Sequence, residues 1–451
     1  PMRVNYIHIY KNLEKSNSES LLSKSKFEEF KRIVIKPVDD FIKRFIKVFR
    51  TEIKSNARCA HKVKDKYKRE FGFDLLMDDY LIEYDYVFFI FFGVVKGTTA
   101  SAANINFANI EGQYNRPVCG KIQINLAKNK DFQLWGTFEK EERRRTIFHE
   151  ITHALAFSPV LNKAYLDEEG NKLAKNYIEN IDTTTIKKVP FITHPIMKKE
   201  VADYFGCKEA KGFPLAVKDK AHFSQQIIAN QIMRPMADNF VDRITKFMLK
   251  LYEISGWYEV EYKYIEETLW GKGKGCRFLD FQCKDENDKL FNEFCREDNQ
   301  KKKYGCDYYY ENIAACFKIK NKALPDVTCP WMKPLKKNCK FPTSTKKDLG
   351  IQEKLGDESK CFEYMGKTKK GEKRFGACYE AKCDFEKKEI SMTVGENSQV
   401  IKYKDNLEPV EESVKVKINK NGTDQVFSFL SPEWKRFCFN SKHFQFEKGF
   451  K

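Results

Sequence analysis

The stretch Phe148-His149-Glu150-Ile151-Thr152-His153-Ala154-Leu155-Ala156-Phe157 constrains this chain more than any other. It reads as helix, so His149 and His153, four residues apart, fall on one face and their imidazoles can converge on a single cation. Glu150 follows the first histidine directly, where its carboxylate can reach a cation-bound water rather than the cation. Three neutral or anionic protein ligands plus an open position for water is the arrangement of catalytic zinc. Two histidines on a polar helix face would be the plain alternative, and the rest of the sequence decides between them.

The search for a third ligand is short, because the chain has only 7 histidines. His8 and His61 lie upstream and His443 lies in a cysteine-rich tail, which leaves His194 and His222. A glutamate on a following helix is the other known solution, and Glu168, Glu169 and Glu179 are within range for it. His222 stands out because Met233-Arg234-Pro235 follows it. A methionine in a tight turn beneath a three-histidine zinc site marks the metzincins; the plain reading is a core methionine before a proline-directed turn. His194, in Thr193-His194-Pro195, reads as a surface or structural histidine.

A chain of 451 residues exceeds one core and predicts two or three domains. Its 41% hydrophobic and 14% aromatic content supplies ample burial. The longest apolar run, Tyr86 to Val95, is too short to span a bilayer and reads as a buried strand. No charged-then-apolar leader precedes it and residue 1 is Pro, so the sequence reads as a processed or trimmed form. Of 14 cysteines, Cys276 and all ten after it crowd the C-terminal part without CxxC pairs. That pattern favours disulfides and an oxidising compartment over cysteine-held zinc, and makes a cytosolic metal-binding protein a distant third reading. Asn421-Gly422-Thr423 is a glycosylation acceptor consistent with secretion. The net charge of +18, from 82 basic and 64 acidic residues, reads as a lysine-rich solvated surface with some attraction to anionic cell surfaces. No nucleic-acid fold signature accompanies it, so no nucleic-acid partner is expected. No feature specifies an oligomeric state.

Arg3–Tyr10 alternates loosely as a first strand. From about Lys26 to Ile53 apolar positions recur at helical spacing (Phe30, Ile33, Val34, Val38, Phe41, Ile42, Phe45, Ile46, Phe49), predicting a long helix bent or restarted at Pro37. Residues 97–103 are small and read as an edge strand or a loop, and Lys121–Leu126 alternates as a strand. Thr137 is placed to cap the motif helix, with Glu139, Glu141 and Glu142 favourable to its dipole. The expected fold is α+β: a metzincin-like N-terminal part over 1–157 ending in the motif helix, a central part over 158–281 with His222 and the Met-turn, and a cysteine-rich, mainly β part over 282–451.

Taken together these residues resemble the leishmanolysins, zinc endopeptidases with HExxHALGF, an insertion before the third histidine, and a Met-Ala-Pro-like turn. The separation of 222 − 153 = 69 residues looks like that insertion. Val201-Ala202-Asp203-Tyr204-Phe205-Gly206-Cys207, Ile254-Ser255-Gly256-Trp257-Tyr258, Trp270-Gly271 and Gly275-Cys276-Arg277-Phe278-Leu279 follow the family's order. The resemblance covers essentially the whole chain. It implies one Zn2+ held by His149, His153 and His222, Glu150 as general base, and Met233 as the floor of the site. It also implies the pairs Cys59–Cys119, Cys207–Cys276, Cys283–Cys329, Cys295–Cys316, Cys306–Cys361, Cys339–Cys378 and Cys383–Cys438, which spacing alone could not select.

Two departures stand out. Ala156 occupies the place of the family's glycine; a left-handed conformation there would cost an alanine about 1–2 kcal/mol and could loosen His222. Arg234 replaces the alanine of the turn, a place from which it could reach the substrate cleft and favour acidic side chains. The leading expectation is a secreted or cell-surface zinc endopeptidase acting on polypeptides through Glu150 and a zinc-bound water, the substrate held by strand addition at about residues 98–104. The competing one is a zinc-containing adhesion or coat protein with little turnover. Residues 432–451 lack the apolar tail that signals a lipid anchor, so the mature chain is expected to be soluble or to have lost one.

Overall fold

Aromatic and β-branched residues in an unbroken run cannot be half-solvated, and Tyr86–Gly93 accordingly forms an inner strand. In the computed structural model this strand, β3, lies in a four-stranded sheet with β1 (Val4–Ile9), β4 (Ala100–Ile110) and β5 (Gln113–Asn125), in the order β1-β3-β5-β4. β1 and β5 run parallel to β3, and β4 lies antiparallel to β5 at the sheet's edge. The segment read as edge strand or loop is thus an edge strand from Ala100 on. The structure describes residues 4–9, 24–48, 85–93, 100–110, 113–125, 129, 132–167, 169–173, 175–235, 242–295, 304–317, 325–340, 353–368, 371–394, 397–402, 414–420, 423–439, 444–446 and 449–450. Cys59, Glu168 and Asn421 lie outside them.

The long helix expected from Lys26 is present in altered form. α1 (Lys24–Phe30) opens into a π-helical turn over Lys31–Ile35, then α2 (Lys36–Phe45) continues. Pro37 supplies the reason: it cannot donate to the preceding turn and its ring crowds the carbonyl four residues back, and widening the turn relieves both. The helix also ends earlier than its apolar pattern predicts. Ile46–Val48 forms β2, antiparallel to β9 (Tyr258–Val260). Here cross-strand hydrogen bonds and two β-branched residues outweigh helical periodicity.

The motif helix, α3 (Thr137–Leu155), lies close to β4 and β5. Gly136, not Thr137, is its N-cap, and no side chain caps it. Only Glu139 sits in the first turn; Glu141, one turn on, is buried and pairs with Arg144 at 2.5 Å. The buried residues Phe148, Ile151 and Leu155 join the main core with Phe41, Phe45 and Tyr252. The Phe41 and Phe148 rings meet edge-to-face with centroids 5.0 Å apart. Beyond α3 the chain forms β6 (Ile178–Ile181), β7 (Val189–Ile192) and α4 (Pro195–Phe205), then the loops that carry His222 and Met233. These elements share the N-terminal core, which also takes in Trp257, Trp270 and Trp331.

A second core forms in the cysteine-rich part around Phe362, Tyr379, Ile390, Met392 and Phe437. It underlies a six-stranded antiparallel sheet whose central strands are Ser359–Thr368 and Gly371–Asp384. Six disulfides are described: Cys207–Cys276, Cys283–Cys329, Cys295–Cys316, Cys306–Cys361, Cys339–Cys378 and Cys383–Cys438. These are six of the seven pairs that the resemblance implies, and Cys119 is disulfide-bonded as well. The fold is α+β with a disulfide-rich C-terminal region. Among the described residues no helix is long and apolar enough to cross a membrane.

Candidate metal centre

One helical turn separates His149 from His153, and the loop after β8 (Phe213–Pro214) brings His222 against them. The three Nε2 atoms form a nearly equilateral triangle: His149 to His153 is 3.0 Å, His153 to His222 is 3.1 Å, and His222 to His149 is 3.2 Å. Each ring is turned by an oxygen at its other nitrogen. His149 Nδ1 lies 2.5 Å from the Ile232 carbonyl, His153 Nδ1 2.8 Å from the Phe157 carbonyl, and His222 Nδ1 2.9 Å from Asp219 Oδ2. Carbonyl and carboxylate oxygens can only accept, so each imidazole keeps its proton on Nδ1 and presents a lone pair at Nε2.

Three lone pairs at this distance repel one another unless a cation sits among them. A tetrahedral ion with metal–nitrogen bonds of about 2.05 Å spaces its donors about 3.3 Å apart, close to the triangle seen, and neutral imidazole is a ligand zinc favours. The residues therefore fit zinc. Burial, reinforced by His153 and His222, pushes His149 well below the ordinary histidine range. Burial, with His222 next, takes His153 down to about 3. Both rings are neutral, the form that binds metal, throughout the physiological range.

Glu150 is buried between the helix and the sheet edge, where the Ala102 backbone N–H of β4 hydrogen-bonds to its carboxylate. Burial pushes its pKa up to about 7. Met233 is fully buried; its carbonyl accepts from Phe223 N–H at 2.8 Å, directly after the carbonyl that holds His149.

The other candidates fall elsewhere. His194 caps α4, its Nδ1 accepting from Ile196 N–H at 3.3 Å. Glu179 pairs with Lys175, and Glu169 is exposed. Neither joins the metal cluster, which among the described residues is His149, His153 and His222 alone.

Two expectations are corrected. Ala156 has φ −141° and ψ −26°, not a left-handed conformation, so the alanine carries no such strain. Arg234 does not face a cleft: its side chain is 1% exposed and its Nε donates to Asp242 at 2.5 Å. A guanidinium so placed is compensated inside the protein and is not available to substrate. Sequence reasoning does not single out Asp219, although its place three residues before His222 is the available signal.

A family model described as leishmanolysin matches residues 81–413, well over half of the chain and all three histidines. The chain belongs to the leishmanolysin family. It is similar to the leishmanolysin-like peptidase of Drosophila melanogaster, 28% identical over 176 residues that cover 31% of this chain and 25% of that protein. The leishmanolysin-like peptidase of Caenorhabditis elegans is 24% identical over 212 residues, 38% of this chain and 30% of its own length. Leishmanolysin of Leishmania donovani is 24% identical over 162 residues, 34% of this chain and 25% of its own. The matched stretches thus span well under two thirds of these relatives.

Proposed function

We propose that this leishmanolysin-family chain is a zinc metalloendopeptidase that hydrolyses internal peptide bonds. The observation that carries the reading is the convergence of three Nε2 lone pairs, each imidazole oriented from behind, with Glu150 directly after His149 on the same helix. Zinc bound by His149, His153 and His222 would lower the pKa of a water and polarise the scissile carbonyl. Glu150 accepts the proton of the attacking water on its carboxylate and returns it to the leaving amine. Its hydrogen bond to Ala102 N–H ties this carboxylate to the sheet edge, so a peptide laid along β4 by strand addition comes within its reach. Polypeptides are the substrates, and basic surface charge favours a weak approach to anionic cell surfaces. Six described disulfides and the family membership support passage through the secretory pathway to the cell surface or exterior. The relaxed backbone at Ala156 removes one of the two grounds for a weakly active adhesion or coat protein, the other being the large disulfide-rich tail.

The test is cleavage of an unstructured protein such as casein, with and without a zinc chelator, beside Glu150→Gln. Chelator-sensitive cleavage lost in the variant is expected. Protein that carries one zinc per chain and cleaves nothing would overturn the reading.

A further inference from the structure

The last carbonyls of a helix have no partner within it and are usually satisfied by water, or by a left-handed glycine that turns the chain back. The motif helix ends in a buried place and has no left-handed glycine there. Three phenols from three different elements take the carbonyls in succession. Tyr86 of β3 donates to the Ala154 carbonyl at 3.2 Å, Tyr258 of β9 to Leu155 at 3.1 Å, and Tyr165 to Ala156 at 2.5 Å. A fourth hydroxyl, on Tyr252, lies 2.9 Å from Thr152 Oγ1. The amides of Ala156 and Phe157 both donate to the Thr152 carbonyl, each at 2.9 Å. The next carbonyl along, Phe157, is the one that holds His153 Nδ1.

The backbone from 154 to 157 is therefore fixed at every carbonyl, and the final one orients a metal-binding imidazole. A buried phenol that lost its acceptor, or a buried carbonyl that lost its donor, would be unsatisfied, so the arrangement is specific as well as stabilising. Tyr165 also meets Asn162 at 2.7 Å. A phenol has one proton, so the Asn162 amide completes the pair as donor when its Nδ2 is turned to the phenol oxygen. Burial pushes all three carbonyl-binding phenols above the ordinary tyrosine range, so each keeps its proton.

We propose that Tyr165, Tyr258 and Tyr86 are positioning residues of the metal centre: they hold the last turn of the motif helix so that the Phe157 carbonyl stays on His153 and His153 Nε2 stays at the triangle. The inference rests on reading His149, His153 and His222 as zinc ligands. The three tyrosines rank by how near Phe157 the carbonyl that each holds lies, Ala156 for Tyr165, Leu155 for Tyr258 and Ala154 for Tyr86.

Tyrosine-to-phenylalanine variants keep the ring and remove only the hydroxyl. Zinc affinity of the full chain and of Tyr165→Phe, Tyr258→Phe and Tyr86→Phe would be measured by competition with a chromophoric chelator, alongside the absorption spectrum of the cobalt-loaded forms. We expect one metal per chain, affinity reduced about 10–100-fold in Tyr165→Phe as for other groups that orient a ligand, smaller losses in the other two, and an altered cobalt spectrum. Melting temperature would fall in all three for a structural role as well, so affinity and spectrum decide. A folded Tyr165→Phe with unchanged affinity and spectrum overturns the proposal. Should that variant fail to fold, unchanged affinity and spectrum in Tyr258→Phe and Tyr86→Phe overturn it instead. Failure of the unaltered chain to bind zinc would sink the zinc reading, and this inference with it, whereas a difference confined to the variants bears on the inference alone.

Discussion

Asp219 holds His222 from three residues upstream, its Oδ2 lying 2.9 Å from His222 Nδ1. The other two imidazoles are held by backbone carbonyls, so His222 is the one ligand oriented by a replaceable side chain. Asp219→Ala should weaken zinc binding about 10–100-fold. Asp219→Asn, which keeps an accepting oxygen but no charge, should weaken it less. Because the Asp219 side chain is 43% exposed, neither change should move the melting temperature of the metal-free chain by much. Chelator competition and a thermal melt on each variant check both statements, and equal affinity for all three proteins would refute the role.

Ala156 gives a second test. Its φ of −141° is open to any residue, and its carbonyl is held by Tyr165 rather than by a turn that requires glycine. Restoring the family's residue with Ala156→Gly should therefore bring no gain in peptidase activity. It should instead cost about 0.5–1 kcal/mol through added freedom in the unfolded chain, together with lost packing of a fully buried methyl. Urea denaturation and casein cleavage measure the two halves. A clear rise in activity would show that the alanine does constrain the site.

The sequence made the ligand set legible because helical periodicity places His149 beside His153 and only a few histidines remain to complete it. It could not single out His222 by spacing, since Glu169 and Glu179 stood at permissible distances and were excluded only by where β6 and its loops go. Nor could it reveal Tyr86, Tyr165 and Tyr258, which come together from β3, a loop and β9 and share no local pattern. Ile46 shows the same limit in the fold: its helical phase is correct, but pairing with Val260 decides its conformation. Arg234 was misplaced because charge suggests exposure, whereas Asp242 allows it to be buried.

Arg145, one turn before His149, tests how firmly the helix is tied to the Met-turn region. It grips Glu266 with two hydrogen bonds, at 2.7 and 2.9 Å, and also donates to the Asp242 carbonyl. Glu266 is fully buried and takes a further bond from Ile244 N–H at 2.7 Å. Arg145→Met should destabilise the chain by about 3–5 kcal/mol, because it strands a buried carboxylate. Arg234→Ala should cost less, because the Asp242 side chain it leaves is 21% exposed. Denaturant midpoints rank the two, and the reverse order would contradict the account.

Asp307 predicts a pH dependence of stability. It is almost fully buried beside Glu311, and its carboxylate accepts from Glu311 N–H at 2.8 Å and Asn312 N–H at 3.2 Å. Burial first, and the Glu311 charge second, push it up to about 7. Arg243 does not cancel this, being committed to Glu311 at 3.0 Å. In the unfolded chain the same carboxyl titrates near 3.9. Between those values the folded protein holds a proton that the unfolded chain has released. Its contribution to stability is therefore fully present below about pH 4 and is lost as pH rises through about 7, with a slope of at most about 1.4 kcal/mol per pH unit. Asp307→Asn cannot titrate, so the difference in unfolding free energy between the two metal-free proteins should shift in favour of the variant as pH rises from 4.5 to 7.5, by roughly one to a few kcal/mol. A difference that stays constant over that range would show that Asp307 is ionised throughout in the folded protein.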